Sequence, residues 1–184
     1  MASPIAHTLA GASIYYLACK KTGVSWWFFL VIIVAASLPD FDLIPGLILG
    51  NSDIFHRTVS HSIYAAIFSG VLFFICLKAL AIDLALTRSI VWTTAVLSHL
   101  VIDWLTFDNV SPQGIAALWP VSDIFFMSNT TIFMHIERHN LFDPDTIIHN
   151  LTAGLLELII LLPMALVIRK LLFRPVYAGE SVRN

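Results

Sequence analysis

Ser98-His99-Leu100-Val101-Ile102-Asp103-Trp104-Leu105-Thr106 closes an apolar run that begins near Ile90. His99 and Asp103 are four residues apart, so on a helix they stack on one face, one turn from each other. An imidazole and a carboxylate inside an apolar helix are costly unless something pairs them. A neutral hydrogen-bonded pair, an ion pair and a shared metal ion each meet that demand. Which applies depends on what else the chain brings to the same place.

Hydrophobic residues make up 58% of the 184-residue chain, charged residues 12%, and mean hydropathy is +0.86. Soluble domains average roughly 45–50% apolar and about 25% charged, so the composition is that of a membrane protein. Ten Lys and Arg stand against twelve Asp and Glu, a formal charge of −2, which argues against nucleic acid as the main partner. Cys19 and Cys76 are too few for a disulfide framework and match no metal-ligand spacing. Lys20-Lys21 follows the first apolar segment instead of preceding it, so no cleaved signal peptide is expected. No repeat or soluble linker appears.

These observations predict an all-α fold, an integral-membrane bundle of about five helices forming one domain over 1–184. The first helix runs from about Ile5 to Cys19. The second, about Trp26 to Leu38, opens on an aromatic interface pair and stops at Pro39, short of the ~20 residues that cross a bilayer. The third is expected from about Ile54 to Ile82 and the fourth from Arg88 to Thr106. The apolar piece Ile115–Trp119 reads as re-entrant or interfacial. Residues 123–145 form a polar connection, and a last transmembrane helix over 146–170 is interrupted at Pro163.

Alternating helices place eight basic residues, from Lys20 and Lys21 to Arg174 and Arg183, on one side, and only Arg57 and Arg138 on the other. The positive-inside rule makes the first side cytoplasmic, with the N-terminus outside and the C-terminus inside a bacterial-type inner or plasma membrane. His7, Asp40, Asp42, His56, His61, His99 and Asp103 then gather at the extracytoplasmic end. Histidines scattered through a core have no reason to share one end, and this convergence predicts a site.

Each motif also has a plain reading. Leu38-Pro39-Asp40-Phe41-Asp42 is either a solvated helix-ending turn or a pair in which one carboxylate binds a metal and the other orients a histidine. In His56-Arg57-Thr58-Val59-Ser60-His61-Ser62, Arg57 and His61 would share a helix face. Arg57 either meets a substrate phosphate or pairs with Asp40 or Asp53. His7 alone reads as a packed histidine. His135 and His139 have chelating i, i+4 spacing without forming an HExxH signature. Glu157, deep in the last span, needs a partner that the sequence does not name. The candidate metal ligands are His7, Asp42, His56, His61, His99 and Asp103. Arg57, Asp40 and Thr106 are the catalytic candidates, and Ser60, Ser62 and Thr106 candidates for supporting hydrogen bonds. Imidazole and carboxylate donors without thiolate suit Zn²⁺, with Mn²⁺ or Fe as alternatives, in one to three ions bridged by Asp103 where two bind.

On these residues the sequence resembles the YdjM family of inner-membrane-associated, predicted metal-dependent hydrolases. The matching pieces are His7-Thr8-Leu9-Ala10-Gly11, Leu38 to Asp42, His56-Arg57 with Ser60-His61-Ser62, Ser98-His99-Leu100 with Asp103 and Thr106, and Gly114 through Pro120, a motif-bearing core over 4–122. The family is distantly similar to zinc-dependent phospholipase C and P1 nuclease. That likeness implies His7, Asp40 or Asp42, His61, His99 and Asp103 as metal ligands. Those enzymes carry a second His–carboxylate pair near the C-terminus. Here His149 is followed four residues later by Ala153, so either His135 and His139 substitute or fewer metals bind.

The expectation is therefore a membrane metal-dependent hydrolase cleaving a phosphoester of a lipid or other amphiphile. An amide or ester hydrolase is the enzymatic alternative. A non-catalytic metal-binding membrane protein and a transporter are the others, the last disfavoured because helices two to four lack polar residues toward the cytoplasm.

Overall fold

The computed structural model describes residues 1–49, 56–138 and 140–172. Helix α1, Pro4–Thr22, begins where the Ser3 hydroxyl accepts from the Ile5 N–H and Pro4 supplies a preset φ. It ends at Gly23, whose φ of +76° turns the chain sharply toward Ser25, the N-cap of α2, Trp26–Ser37. Pro39 does not end the helical course. It sits in a 3₁₀ turn, Leu38–Asp42, that leads directly into the short helix α3, Leu43–Ile48.

Helix α4 is Ile63–Ala79, α5 is Ala85–Trp104, and α6 is Pro144–Leu172. The expected start of the third helix near Ile54 is corrected: α4 begins only at Ile63, capped by the Ser62 hydroxyl. Arg57 has a φ of +67° and Ser62 is extended, so Arg57 and His61 share no helix face. The expected interruption at Pro163 is corrected as well. Proline removes one rung of the hydrogen-bond ladder, and the helix of 29 residues, about 43 Å long, carries through it.

The stretches Trp26–Pro45, Ala85–Trp104 and Pro144–Leu172 are each long and apolar enough to cross a membrane, and α4 is a shorter apolar helix. α1 packs against α2, α5 and α6, and α5 also against α2 and α4. Small residues let the backbones approach, as membrane helices require when lipid removes the hydrophobic incentive to associate. A Cβ on Gly11 would lie 2.9 Å from the Ala36 Cβ and 3.2 Å from the Ile32 carbonyl. Gly11→Val is therefore expected to cost about 1–3 kcal/mol by overpacking, read as a lowered melting temperature in detergent.

α6 runs parallel to α1. Gly154 faces Ile5 near the start of α1, while Arg169 lies over Tyr16 near its end. The two helices are pinned by Glu157, fully buried, which accepts the Ser3 N–H at 2.7 Å and also the Ser3 hydroxyl. A carboxylate thus sits at the positive end of α1, where the helix dipole favours it.

The described residues of 105–138 and 140–143 cross the site end as an irregular cover. Two isolated bridges hold it, Thr106 with Phe133 and Ile115 with Phe126. The Ile115–Trp119 piece is not a helix. It lies along the segment before α4, with Ala116 N–H donating to the Arg57 carbonyl and Ile63 N–H to the Ala117 carbonyl.

Candidate metal centre

Four elements deliver the polar side chains. α1 brings His7, the 3₁₀ turn after α2 brings Asp40 and Asp42, the segment before α4 brings His56 and His61, and α5 brings His99 and Asp103. His7, His61, His99 and Asp103 are buried, and the Asp40 side chain is 18% exposed.

Asp40, His61, His99 and Asp103 form one donor set. The His99 Nε2 lies 3.0 Å from Asp103 Oδ2, 3.5 Å from Asp40 Oδ1 and 3.2 Å from His61 Nε2. His61 Nε2 is 3.6 Å from Asp103 Oδ2 and 3.7 Å from Asp40 Oδ1. A tetrahedral ion with ligand distances of 2.0–2.1 Å has edges of roughly 3.3–3.4 Å, and these five separations are close to that.

The hydrogen bonds behind the set fix what points into it. His99 Nδ1 lies 2.8 Å from the Ala36 carbonyl, which can only accept, so Nδ1 carries the proton and Nε2 offers its lone pair. His61 Nδ1 faces Asp42 Oδ2 at 3.2 Å and Ser60 Oγ at 3.0 Å, with the same consequence. The Ser60 hydroxyl also donates to Asp42. Two imidazole lone pairs and two carboxylate oxygens therefore converge, and Asp40 Oδ1 and Asp103 Oδ2 have no hydrogen-bond partner. A proton between His99 and Asp103 would answer one pair and leave His61 and Asp40 facing lone pairs. A divalent cation answers all four at once. The donor chemistry fits Zn²⁺ or another borderline ion.

Asp40, expected as a catalytic residue, enters the donor set, and Asp42, expected as a ligand, stands behind His61. Asp42 also accepts from His56 Nδ1 at 2.7 Å, and Asp42, His56 and His61 form a second group of potential donors. Burial pushes His56 below the ordinary histidine pKa, with the Asp42 hydrogen bond acting the other way. Because Asp42 holds the His61 ring and its tautomer, Asp42→Asn is expected to weaken metal affinity about 10–100-fold without unfolding the protein. Titration with Zn²⁺ against a competing chelator reads this directly.

His7 stacks on His99, with ring centroids 3.6 Å apart, and its two nitrogens lack hydrogen-bond partners. Its Nε2 lies 3.6 Å from Asp103 Oδ1 and 3.9 Å from Asp40 Oδ2, the carboxylate oxygens that face away from the four-donor set. Asp103 Oδ1 accepts the Ala2 N–H at 3.0 Å, so the start of the chain is tied to the centre.

Other candidates lie elsewhere. Arg57 pairs with Asp108, not with Asp40, and Asp53 is outside the described residues. Thr106 donates its hydroxyl to the Ile102 carbonyl within its own helix end, and Ser62 caps α4. His135 and His149 contact one another at 4.8 Å between rings, with His149 Nε2 2.9 Å from the His135 carbonyl, and are not brought to the donor set. Burial, then the neighbouring His149, lowers the His135 pKa. His139 lies outside the described residues. Asp108 was missed by sequence reasoning, its one signal being a carboxylate just beyond the end of α5. It accepts the Gly114 and Val110 N–H groups and holds Arg57, which orders the cover over the site.

Apolar helices around a buried His/Asp set ready for a cation define an integral membrane protein with a candidate metal centre. The chain belongs to the YdjM inner membrane protein family, whose model matches residues 1–175. No curated protein and no solved structure matches it.

Proposed function

We propose that this membrane protein is a metal-dependent hydrolase that cleaves a phosphoester of a lipid or other amphiphile at the extracytoplasmic end of the bundle. The observation that carries the reading is the convergence of Asp40, His61, His99 and Asp103, all with acceptor atoms inward. A divalent cation held there supplies Lewis acidity and lowers the pKa of water toward about 7. His61 and His99 hold their rings in place through Asp42 and the Ala36 carbonyl. Arg57 lines a small pocket with Asp108, His135 and Arg138 beside Met1, and it is the candidate for holding phosphate oxygens.

An amphiphilic substrate follows from what borders the polar residues in sequence. Phe41, Val59, Trp104 and Phe107 are exposed next to Asp40, Ser60, Asp103 and Thr106. The bias of basic residues supports assigning the opposite end to the cytoplasm: Lys21, Lys78, Arg88, Arg169 and Lys170 gather at that end, against Arg57 and Arg138 at the site end.

The test is metal analysis of purified wild type beside His61→Ala, with turnover on phospholipids, polyprenyl phosphates, and ester and amide amphiphiles. Bound metal and phosphate release in wild type, both lost in His61→Ala, support the reading. Ester or amide cleavage alone would replace the phosphoester, and metal retained in the variant would remove the ligand assignment.

A second reading is a cation that only stabilises the fold, and the fourth protein donor favours it, since closed tetrahedral sites are structural ones. Asp40→Ala separates the two. Loss of turnover with an unchanged melting temperature supports the enzyme. A large drop in melting temperature, with no turnover by wild type on any substrate, supports the structural ion.

A further inference from the structure

We propose that the end of the bundle opposite the metal centre binds an anionic phospholipid, its phosphate on Arg169 and its upper acyl chain in an aromatic hollow between α1, α2 and α6. The inference rests on the membrane reading of the chain and is independent of the hydrolase proposal. A cavity of about 210 Å³ is lined by Tyr15, Tyr16, Val24, Trp26, Phe29 and Arg169. Its walls are interlocked: Tyr15 meets Phe29 edge to face at 5.1 Å, and Trp26 stacks on Phe29 at 5.8 Å. The Tyr15 hydroxyl donates to the Ser25 carbonyl at 3.0 Å and accepts from the Ser25 N–H at 2.9 Å. That hydroxyl is thus committed to the turn, and Tyr15 contributes an apolar ring to the wall.

The charged group lining this hollow is the Arg169 guanidinium, 5.9 Å over the Tyr16 ring. This is a cation–π contact, and the guanidinium's fork of donors suits phosphate oxygens. Exposed Lys21 and Lys170, on α1 and α6, lie at the same end. Asp83, in the α4–α5 connection, is the one carboxylate there among the described residues. Trp26 and Trp27 are 66% and 76% exposed and mark the level of the membrane–water interface. A basic rim over an apolar hollow at that level fits an amphiphile with a net negative head, as basic pockets between transmembrane helices do. A zwitterionic head offers the rim no net charge, and inorganic phosphate has no use for the aromatic walls.

Thermal unfolding of the purified protein in detergent, with added short-chain phosphatidylglycerol, phosphatidylcholine or inorganic phosphate, tests the assignment. Phosphatidylglycerol is expected to raise the melting temperature well beyond phosphatidylcholine, and phosphate to leave it unchanged. Arg169→Gln should erase the preference while keeping the wild-type melting temperature in phosphatidylcholine, and Lys78→Gln, outside the hollow, should keep it. Equal shifts by the two lipids, or a preference that survives Arg169→Gln, would overturn the proposal. Loss of preference in Lys78→Gln as well would reduce it to general surface charge. Quenching by brominated phosphatidylglycerol, compared between wild type and Trp26→Phe, reads the same hollow without touching Arg169. Equal quenching by brominated phosphatidylcholine would count against it.

Discussion

Asp103→Asn is expected to leave the bundle folded and to abolish binding of a divalent ion at the four-donor set. The two oxygens of Asp103 do different work: Oδ1 accepts the Ala2 N–H, while Oδ2 faces the Nε2 atoms of His99 and His61 at 3.0 and 3.6 Å. An asparagine keeps the first contact through its carbonyl. Its NH₂ group then points at two imidazole lone pairs and donates to them, so the attraction that a cation supplied is replaced by hydrogen bonds within the protein. Removing one anionic donor and occupying the lone pairs of two others should lower metal affinity by more than about 100-fold, beyond the loss expected for a supporting residue. Asp103→Ala lacks the replacement contacts. It leaves the Ala2 N–H unpaired and both histidines facing Asp40, and it should destabilise the protein by about 2–4 kcal/mol. Metal stoichiometry and melting temperature, measured on both variants, separate the roles. Full metal content in Asp103→Asn would show that the four-donor set is not where the ion sits.

Glu157→Ala should be the most destabilising single change distant from the metal centre. Glu157 is fully buried in α6, and its carboxylate takes both the N–H and the hydroxyl of Ser3. Truncation leaves those two donors buried without partners, a cost of about 1–3 kcal/mol for each. It also removes the negative charge from the start of α1. Because Ser3 lies between Ala2, which binds Asp103, and His7, which stacks on His99, the same change should loosen the centre and lower metal affinity. Glu157→Gln retains one acceptor for the Ser3 N–H and should recover roughly half of the lost stability. Unfolding midpoints in detergent for the three proteins give the comparison, and a wild-type midpoint for Glu157→Ala would contradict this account of how α6 is anchored.

The helical class, the five long helices and the end at which the polar residues gather were legible because each rests on a local rule. Apolar run length and the i, i+4 placement of His99 and Asp103 need no knowledge of neighbours. The misread boundaries have a common cause. Polar residues His56 to Ser62 were read as the first turns of a helix, yet they lie outside α4, and the positive φ of Arg57 is held by contacts with Ala116 and Asp108, far along the chain. α2 ends at Ser37, close to the expected stop at Pro39, whereas Pro163 was read as an interruption because proline removes a hydrogen bond. A 3₁₀ turn absorbs the first, and a long helix carries the second.

Which aspartate joins the four-donor set was outside the reach of spacing. Asp40 and Asp42 are two residues apart, and only the 3₁₀ turn decides that Asp40 points toward His61 and His99 while Asp42 points to the far nitrogen of His61. The partners of Arg57 and Glu157 were equally hidden, since Asp108 and Ser3 lie 51 and 154 residues away. By itself the sequence determined that this is a helical membrane protein with imidazoles and carboxylates collected at one end, because hydropathy and turn chemistry act over a few residues. The tertiary structure alone decided which lone pairs meet and which buried charges are paired. Those outcomes depend on angstrom-scale approach between segments that the chain order keeps apart.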